Sequence, residues 1–306
     1  MALPLRILSS DSSLRPALAC EITPEGVVAA RAESGGKATM AFVPLAAGVV
    51  RPGLAEANLT DSAAVSTALR KALEEVGARE KPLTLVIPDA AVRVLILDFD
   101  SLPSKPQEAL PIVRFRLRKL APFEVDDAAV SYQVIRQGQG HGQLRVLVTV
   151  MPASVRAEFE AVVRAAGYEP GVILPSTLAS LASLGSGEAA LVVNRSGLSL
   201  TTAITNGDEL LLHRTLELPA NEAAQREELA QAVSVASAYF EDTMHAAPET
   251  LYYAGPGGAE AFVAMLGAAT EDGMRMVRDL VPASATGAVS AMPKGLAGGV
   301  TGALAS

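Results

Sequence analysis

The stretch ALACEITPEGVVAARA, residues 17–32, predicts two short strands that are joined by a tight turn. In this turn, TPEG at 23–26, proline fixes one backbone angle and glycine allows a positive φ. A second unit of the same kind is AALVVNRSGLSLTTAITNGDELLLHRTL, residues 189–216, in which the dipeptide NG at 206–207 is a strong hairpin signal. Helical segments follow both units. The repetition predicts an α/β fold built from two duplicated halves.

The first unit is followed by elements that alternate between helix and strand. Residues 61–77 have apolar side chains at helical spacing, and residues 83–87 form an apolar run typical of a buried strand. From 92 to 168 the pattern is strand, helix, strand, strand, helix, which predicts a compact α+β subdomain. The helix expected at 104–120 contains Pro111, so it either kinks at this proline or begins there.

The composition of the 306 residues excludes several classes of protein. The net charge of −8 gives no support for nucleic-acid binding, which usually requires a basic surface. The single cysteine, Cys20, cannot form an internal disulfide, and this fits a reduced, cytoplasmic setting. No apolar run approaches the length of a membrane span, so we expect no direct insertion into a membrane.

No known catalytic or metal-binding motif is present in the sequence. The three histidines, His141, His213 and His245, are far apart and lack the spacing of metal ligands. The chain has neither a nucleotide-binding P-loop that ends in Gly-Lys-Ser/Thr nor a G-x-S-x-G nucleophile motif. We therefore predict no catalytic residues and no metal site.

The middle of the chain contains the most distinctive sequence. RPGLAEANLTDSAAVSTALRKALEEVGAREKPLTLVIPDAAVRVLILDFDSLP (51–103) is followed by ALPIVRFRLRKLAPFEVDDAAVSYQVI (109–135) and LVTVMPASVRAEFEAVVRAAGYEPGVILPSTLAS (147–180). A helix ending in LAPF, a short acidic loop and a strand reading YQVI together resemble the PilM family of type IV pilus assembly proteins. The cytoplasmic domain of the type II secretion protein GspL has a more distant resemblance.

This resemblance implies an actin-like ATPase fold of the ribonuclease H-like class, with an α+β subdomain inserted in the first half. The expected organisation is a flexible arm (1–16), a first half (17–91 and 169–186), the inserted subdomain (92–168) and a second half (187–306). The C-terminal helix of the second half could return to the first half. In the family, a groove on the first half binds the cytoplasmic tail of PilN, an inner-membrane protein.

The resemblance also implies two hairpin loops that would hold nucleotide phosphates. Each loop usually has an aspartate that holds Mg²⁺ through water and a glycine that lets backbone N–H groups approach the phosphate. In the first loop, Glu21 stands in place of the aspartate and Thr23 in place of the glycine. Pro24 removes an N–H donor and Glu25 adds negative charge. We therefore expect a degenerate site with no cofactor or with weakly bound ATP and Mg²⁺.

The second loop departs from the family in the same way. The aspartate position falls on Val193, or on Asn194 after a shift of one residue, and the glycine position falls on Arg195. Arg195 could contact a phosphate, but neither valine nor asparagine replaces a carboxylate as a magnesium anchor. The resemblance implies that a third turn would lie against the adenosine. In the alternative interpretation, its glycines serve only a strand-to-helix turn, which needs glycine in any case. Its glycines are Gly255, Gly257 and Gly258.

The segment most like the family also contains candidates for the partner groove. Phe115, Arg118 and Phe123 are the side chains expected to bind the PilN-like tail, since interface anchors are often aromatic or arginine. In the alternative interpretation, the two phenylalanines pack in the core of the inserted subdomain. Arg118 would then belong to a solvated basic helix face.

The sequence thus predicts a non-enzymatic cytoplasmic scaffold that a partner holds at the inner membrane. The scaffold would belong to a type IV pilus or a related type II secretion platform, and it could also self-associate. The alternative is an active actin-like ATPase or a small-molecule kinase, because one fold can host many functions. Such an enzyme would need intact phosphate loops.

Overall fold

The computed structural model describes residues 16–34, 36–55, 57–137, 144–184, 189–267, 276–282, 287–288 and 291–305. The expected N-terminal arm, apart from its last residue, lies outside these ranges, as does the residue 185–187 boundary. Among the described residues, no helix combines the length and the apolar character that a membrane span requires.

The strands are β1 (Leu18–Thr23), β2 (Gly26–Ala32), β3 (Ala38–Pro44), β4 (Pro82–Ile87), β5 (Arg93–Phe99), β6 (Ala129–Gln137), β7 (Leu144–Met151), β8 (Glu169–Pro175), β9 (Ala189–Ser196), β10 (Ser199–Asn206), β11 (Glu209–Glu217), β12 (Leu251–Ala254), β13 (Val277–Asp279) and β14 (Gly287–Ala288). The helices are α1 (Ser62–Glu75), α2 (Pro106–Leu117), α3 (Ala153–Ala165), α4 (Ser176–Leu181), α5 (Glu222–Met244), α6 (Gly258–Leu266) and α7 (Gly298–Ala305). A short 3₁₀ turn, Asp89–Ala91, follows β4.

Two sheets repeat one topology. The first has the strand order β14-β3-β2-β1-β4-β8 and the second has the order β11-β10-β9-β12-β13. In the first sheet, β1 pairs antiparallel with β2 and parallel with β4. In the second sheet, β9 pairs antiparallel with β10 and parallel with β12. This repetition confirms the predicted α/β fold with duplicated halves.

A separate sheet with the order β5-β7-β6 lies between β4 and β8 in the chain. Helix α2 covers one face of this sheet through Ala109, Val113 and Leu117, which recur at four-residue spacing and are fully buried. Val113 and Leu117 belong to the same apolar cluster as Val146 and Val148 of β7. The first half therefore contains the inserted α+β subdomain that the family resemblance implied.

Helix α3 packs with the first half. It lies against α1 and β8, and its buried Phe159 shares an apolar cluster with Leu69 and Leu73 of α1. We therefore propose that the insertion ends at Met151 and that α3 belongs to the first half.

Helix α2 begins before Pro111. Pro106 lies in its first turn, and the helix continues through Pro111 to Leu117. The alternative that the helix begins at Pro111 is therefore wrong. Pro111 offers no N–H to the carbonyl group of Gln107, but Gln107 is exposed, so that water can hydrate this carbonyl group.

Candidate functional site

The two hairpin loops that resemble phosphate loops contact each other. The Gly197 N–H of the second loop donates a 3.1 Å hydrogen bond to Glu25 Oε1 of the first loop. The Pro24 ring packs against Gly197 so closely that a Cβ at position 197 would lie 2.9 Å from Pro24 Cγ. The Glu25 carboxylate thus accepts the hydrogen bond of the Gly197 N–H. In a phosphate-binding loop, such an N–H group would donate to the phosphate instead.

The side chain of Thr23 closes the turn of the first loop. Thr23 Oγ1 donates a 3.0 Å hydrogen bond to the Gly26 carbonyl oxygen and accepts a 3.2 Å hydrogen bond from the Gly26 N–H. The threonine therefore uses a backbone donor of the hairpin. It also fills space that a glycine would leave open to a phosphate.

Glu21 is a buried acid on β1. Ser176 Oγ donates a 2.5 Å hydrogen bond to Glu21 Oε1, while Oε2 lies against the Gly299 backbone without a hydrogen bond of normal geometry. This carboxyl group lies against Gly299, where any Cβ would collide with it. Burial, assisted by the charges of Asp89 and Glu25, raises the pKa of Glu21 to about 7, against the opposing effects of the Ser176 hydrogen bond and the Gly299 N–H. In the chain as it stands, this carboxyl group therefore carries a proton at a higher pH than an exposed glutamate does.

A buried polar network joins the two halves beside Glu21. Asn194 Nδ2 on β9 donates hydrogen bonds of 3.0 Å to both Ser176 Oγ and Thr177 Oγ1. The Thr177 N–H in turn donates a 3.1 Å hydrogen bond to Asp89 Oδ1. The sequence analysis missed Asp89, Ser176 and Thr177. Their signal in the sequence is weak: Asp89 and Ser176 each follow a proline after an apolar strand.

Arg195 is directed towards its own half of the molecule. Its Nε donates a 3.3 Å hydrogen bond to the Gly197 carbonyl oxygen, and its Nη1 lies 3.1 Å from Met265 Sδ. The cavity beside these loops has a volume of about 10 Å³, which is room for about one water molecule. Its lining includes the predicted residues Glu21, Thr23, Asn194, Arg195 and Gly255.

The third turn is also closed by contacts within the chain. The Gly255 N–H donates a 2.9 Å hydrogen bond to the Gly295 carbonyl oxygen. Gly257 and Gly258 both have positive φ angles and lie at the start of α6. There, Asp279 Oδ1 accepts a 2.6 Å hydrogen bond from the N–H of Ala259, the second residue of the helix. A carboxylate therefore already caps the helix at this turn, and Gly257 and Gly258 do not line the cavity.

The three candidate partner residues have different surroundings. Phe115 is 65% exposed, whereas Phe123 is half-buried against the core of the inserted subdomain. Arg118 Nη2 forms a 2.7 Å ion pair with Asp126. None of the three is among the residues that line the groove between the inserted sheet and the first half.

A groove of about 240 Å³ runs between the inserted sheet and the first half. Its lining is mainly apolar and comes from both parts. The lining residues are Ile87, Val92, Ala129, Val130, Ser131, Thr149, Val150, Met151, Arg156, Glu160, Ile173 and Pro175.

Histidine and cysteine side chains are the other candidates for reactive groups in the chain. Within the described ranges, no cluster of His, Cys, Asp or Glu could hold a metal ion. His141 lies outside these ranges, while His213 lies on β11 and His245 ends α5 in a left-handed conformation. Cys20 is buried, and burial raises the pKa of its thiol.

No protein-family model matches the chain, and a search of curated proteins finds no match. Among solved structures, a chain of the "PilM-PilN type IV pilus biogenesis complex" superposes with a TM-score of 0.72 at 18% sequence identity. The superposition covers 94% of this chain and 96% of the other.

Two further structures are similar at lower scores. The cytoplasmic domain of EpsL, an inner-membrane component of the Vibrio cholerae type II secretion system, has a TM-score of 0.45 at 14% identity, covering 78% of this chain and 82% of that one. The ethanolamine utilization protein EutJ from Carboxydothermus hydrogenoformans has a TM-score of 0.49 at 12% identity, with coverages of 96% and 91%. The similarity to the PilM-PilN chain agrees with the resemblance found in the sequence, and the chain has the actin-like fold that this resemblance implied.

Proposed function

We propose that this chain is a non-enzymatic scaffold on the cytoplasmic side of a type IV pilus or related type II secretion platform. It would bind the cytoplasmic tail of a PilN-like inner-membrane protein, and this partner would hold it at the membrane. The similarity in fold to a chain of a PilM-PilN complex supports the type of system and the type of partner.

The observation that carries this proposal is the groove beside β6. This strand lies at the end of the inserted sheet, where β7 is its neighbour, so its other edge has no strand partner among the described residues. Ala129, Val130 and Ser131 of β6 line the groove. An extended peptide could pair with such a free edge and place alternate side chains in the groove.

The opposite wall of the groove suits an apolar peptide with one polar contact. Ile87, Ile173 and Pro175 come from the carboxyl ends of β4 and β8. Arg156 and Glu160 of α3 provide charged groups to this wall. Arg156 Nε lies 3.8 Å from Glu160 Oε1. We infer that apolar side chains of the tail provide most of the binding energy and that this pair selects its polar groups.

The contact between the two hairpin loops favours a scaffold over an enzyme. Glu25 occupies the Gly197 N–H, and the cavity beside Glu21 has room for about one water molecule. An active ATPase or kinase would need this space for its phosphates and a carboxylate for Mg²⁺. We therefore propose that the nucleotide site has been lost and that partner binding is the function that remains.

A tryptophan at position 131 should fill the groove and block the tail. Ser131 is exposed on β6, so Ser131→Trp should leave the fold intact while it lowers the affinity for the tail peptide by at least tenfold, about 1.4 kcal/mol. The probe is a synthetic peptide of the cytoplasmic tail of the PilN-like protein encoded in the same genome, and calorimetry measures its binding.

The matched control is Glu217→Trp, which places a tryptophan at an exposed position of β11, the strand at the end of the order of the second sheet. This variant should bind the peptide as the unmodified protein does. If Ser131→Trp binds the peptide with unchanged affinity, or if the unmodified protein does not bind it, the groove is not the partner site.

A further inference from the structure

One face of α2, together with the turn that follows the helix, is exposed and both apolar and basic. We call this face the α2 ridge; its residues are Ile112, Phe115, Arg116, Lys119 and Leu120. Phe115 and Arg116 follow Ile112 by three and four residues, so the three side chains lie on one side of α2. This side adjoins the one that carries the buried Val113 and Leu117, and Lys119 and Leu120 lie in the turn that follows the helix. The apolar members are 42%, 65% and 47% exposed at Ile112, Phe115 and Leu120 respectively.

The basic residues around the ridge have different roles. Arg114 donates hydrogen bonds to the carbonyl oxygens of Val125 and Ala128, at 2.5 and 2.9 Å, and Arg118 pairs with Asp126. These two arginines hold the loop that follows the helix. In the part of the chain that the structure describes, the side chains of Arg116 and Lys119 make neither a hydrogen bond nor an ion pair.

The ridge has a charge opposite to that of the whole protein. The chain has a net charge of −8, whereas the ridge residues themselves carry two positive charges, on Arg116 and Lys119, and no negative charge. A separation of charge of this kind orients a protein towards an anionic surface. Each lysine or arginine near an anionic membrane contributes roughly fivefold in binding, before screening by salt.

We propose that the α2 ridge binds the anionic lipid surface of the membrane. Phe115 and Ile112 are exposed on α2, and the two cations, Arg116 and Lys119, are their neighbours in the ridge. This arrangement lets the apolar groups enter the headgroup region while the cations contact lipid phosphates. The proposal rests on the proposed function, because it assumes that the chain works at the inner membrane. It adds a direct lipid contact to the partner tail.

Vesicle sedimentation of the full chain, without any peptide, tests this proposal. The protein should bind phosphatidylglycerol vesicles at low salt, should bind phosphatidylcholine vesicles far more weakly and should dissociate at high salt. The double substitution Arg116→Ala/Lys119→Ala should weaken binding to phosphatidylglycerol roughly 30-fold, since two surface cations are lost. Phe115→Ser should weaken it roughly tenfold through the loss of one inserted aromatic group.

Lys71→Ala and Tyr239→Ser are matched controls, because these exposed residues lie on α1 and α5. Both variants should bind vesicles normally. The proposal is overturned if the unmodified protein does not bind phosphatidylglycerol at millimolar lipid, or if the double substitution binds equally well. It is also overturned if Phe115→Ser weakens binding to the tail peptide and not to vesicles, because the ridge would then be a protein contact. Ser131→Trp should keep its vesicle binding, so a failure of the groove and a failure of the ridge can be told apart.

Discussion

Alanine at position 302 is expected to lower the free energy of unfolding by about 3 kcal/mol. Gly302 lies in α7, which packs against α4, and an added Cβ would lie 2.7 Å from the carbonyl carbon of Ala179 and even closer to its oxygen. Both are backbone atoms, so no side chain can rotate away to make room. The helix itself would gain about 1 kcal/mol from alanine, and the expected sign is therefore opposite to that of helix propensity.

Urea denaturation of the Gly302→Ala variant measures this effect. Gly53→Ala is the control, because a Cβ at Gly53 would meet no atom within 4 Å. The control should change the free energy of unfolding by no more than about 0.5 kcal/mol. A Gly302→Ala variant that is as stable as the unmodified protein, or more stable, would show that α7 does not pack on α4 in this way.

Replacing Glu21 with glutamine is expected to stabilise the protein by about 3 kcal/mol above pH 8 and by little below pH 4. The pKa of Glu21 rises from about 4.5 in the unfolded chain to about 7 in the folded chain, mainly because the group is buried. As the pH rises through this window, the unfolded chain loses its proton first. The folded state therefore becomes less stable relative to the unfolded chain. Glutamine cannot ionise, so the variant does not lose stability in this way as the pH rises.

The measurement is the urea midpoint of both proteins across this pH range. Glu228→Gln removes an exposed carboxylate from α5 and serves as the control. Its difference from the unmodified protein should remain small at every pH. A Glu21→Gln effect that does not grow with pH would mean that Glu21 is not the buried acid of this site.

The duplicated halves could be predicted because each begins with a hairpin whose turn residues are distinctive. Gly26 and Gly207, the turn residues on which the prediction depended, both adopt positive φ angles. Strand β8 was not predicted, since it contains Pro170 and Gly171, which are both unfavourable in strands. Its backbone forms a strand because it pairs in parallel with β4, a contact that its own sequence does not indicate.

The candidate site was only partly predictable for a related reason. Glu21 and Arg195 could be located because they replace residues of recognisable loops. Ser176 is 155 residues away from Glu21 in the chain, so no local pattern connects them. The contact between Glu25 and Gly197 joins the two halves, and only the folded chain reveals that it closes the site.

The partner residues were difficult to predict because α2 has two apolar sides. Val113 and Leu117 form one side, while Ile112 and Phe115 form the other. Spacing alone cannot decide which side packs on the sheet. The structure assigns Val113 and Leu117 to the core and leaves Phe115 exposed.

Titration of the purified protein with Mg-ATP, followed by calorimetry and by thermal denaturation, tests the central claim most directly. A scaffold with a closed nucleotide site should show no binding heat and no rise in the melting temperature at millimolar ATP. Micromolar binding would contradict this account, because a ligand at a thousand times its Kd stabilises the folded state by about 4 kcal/mol. That result would mean that the two halves separate and that Glu25 gives way to the phosphates of the nucleotide.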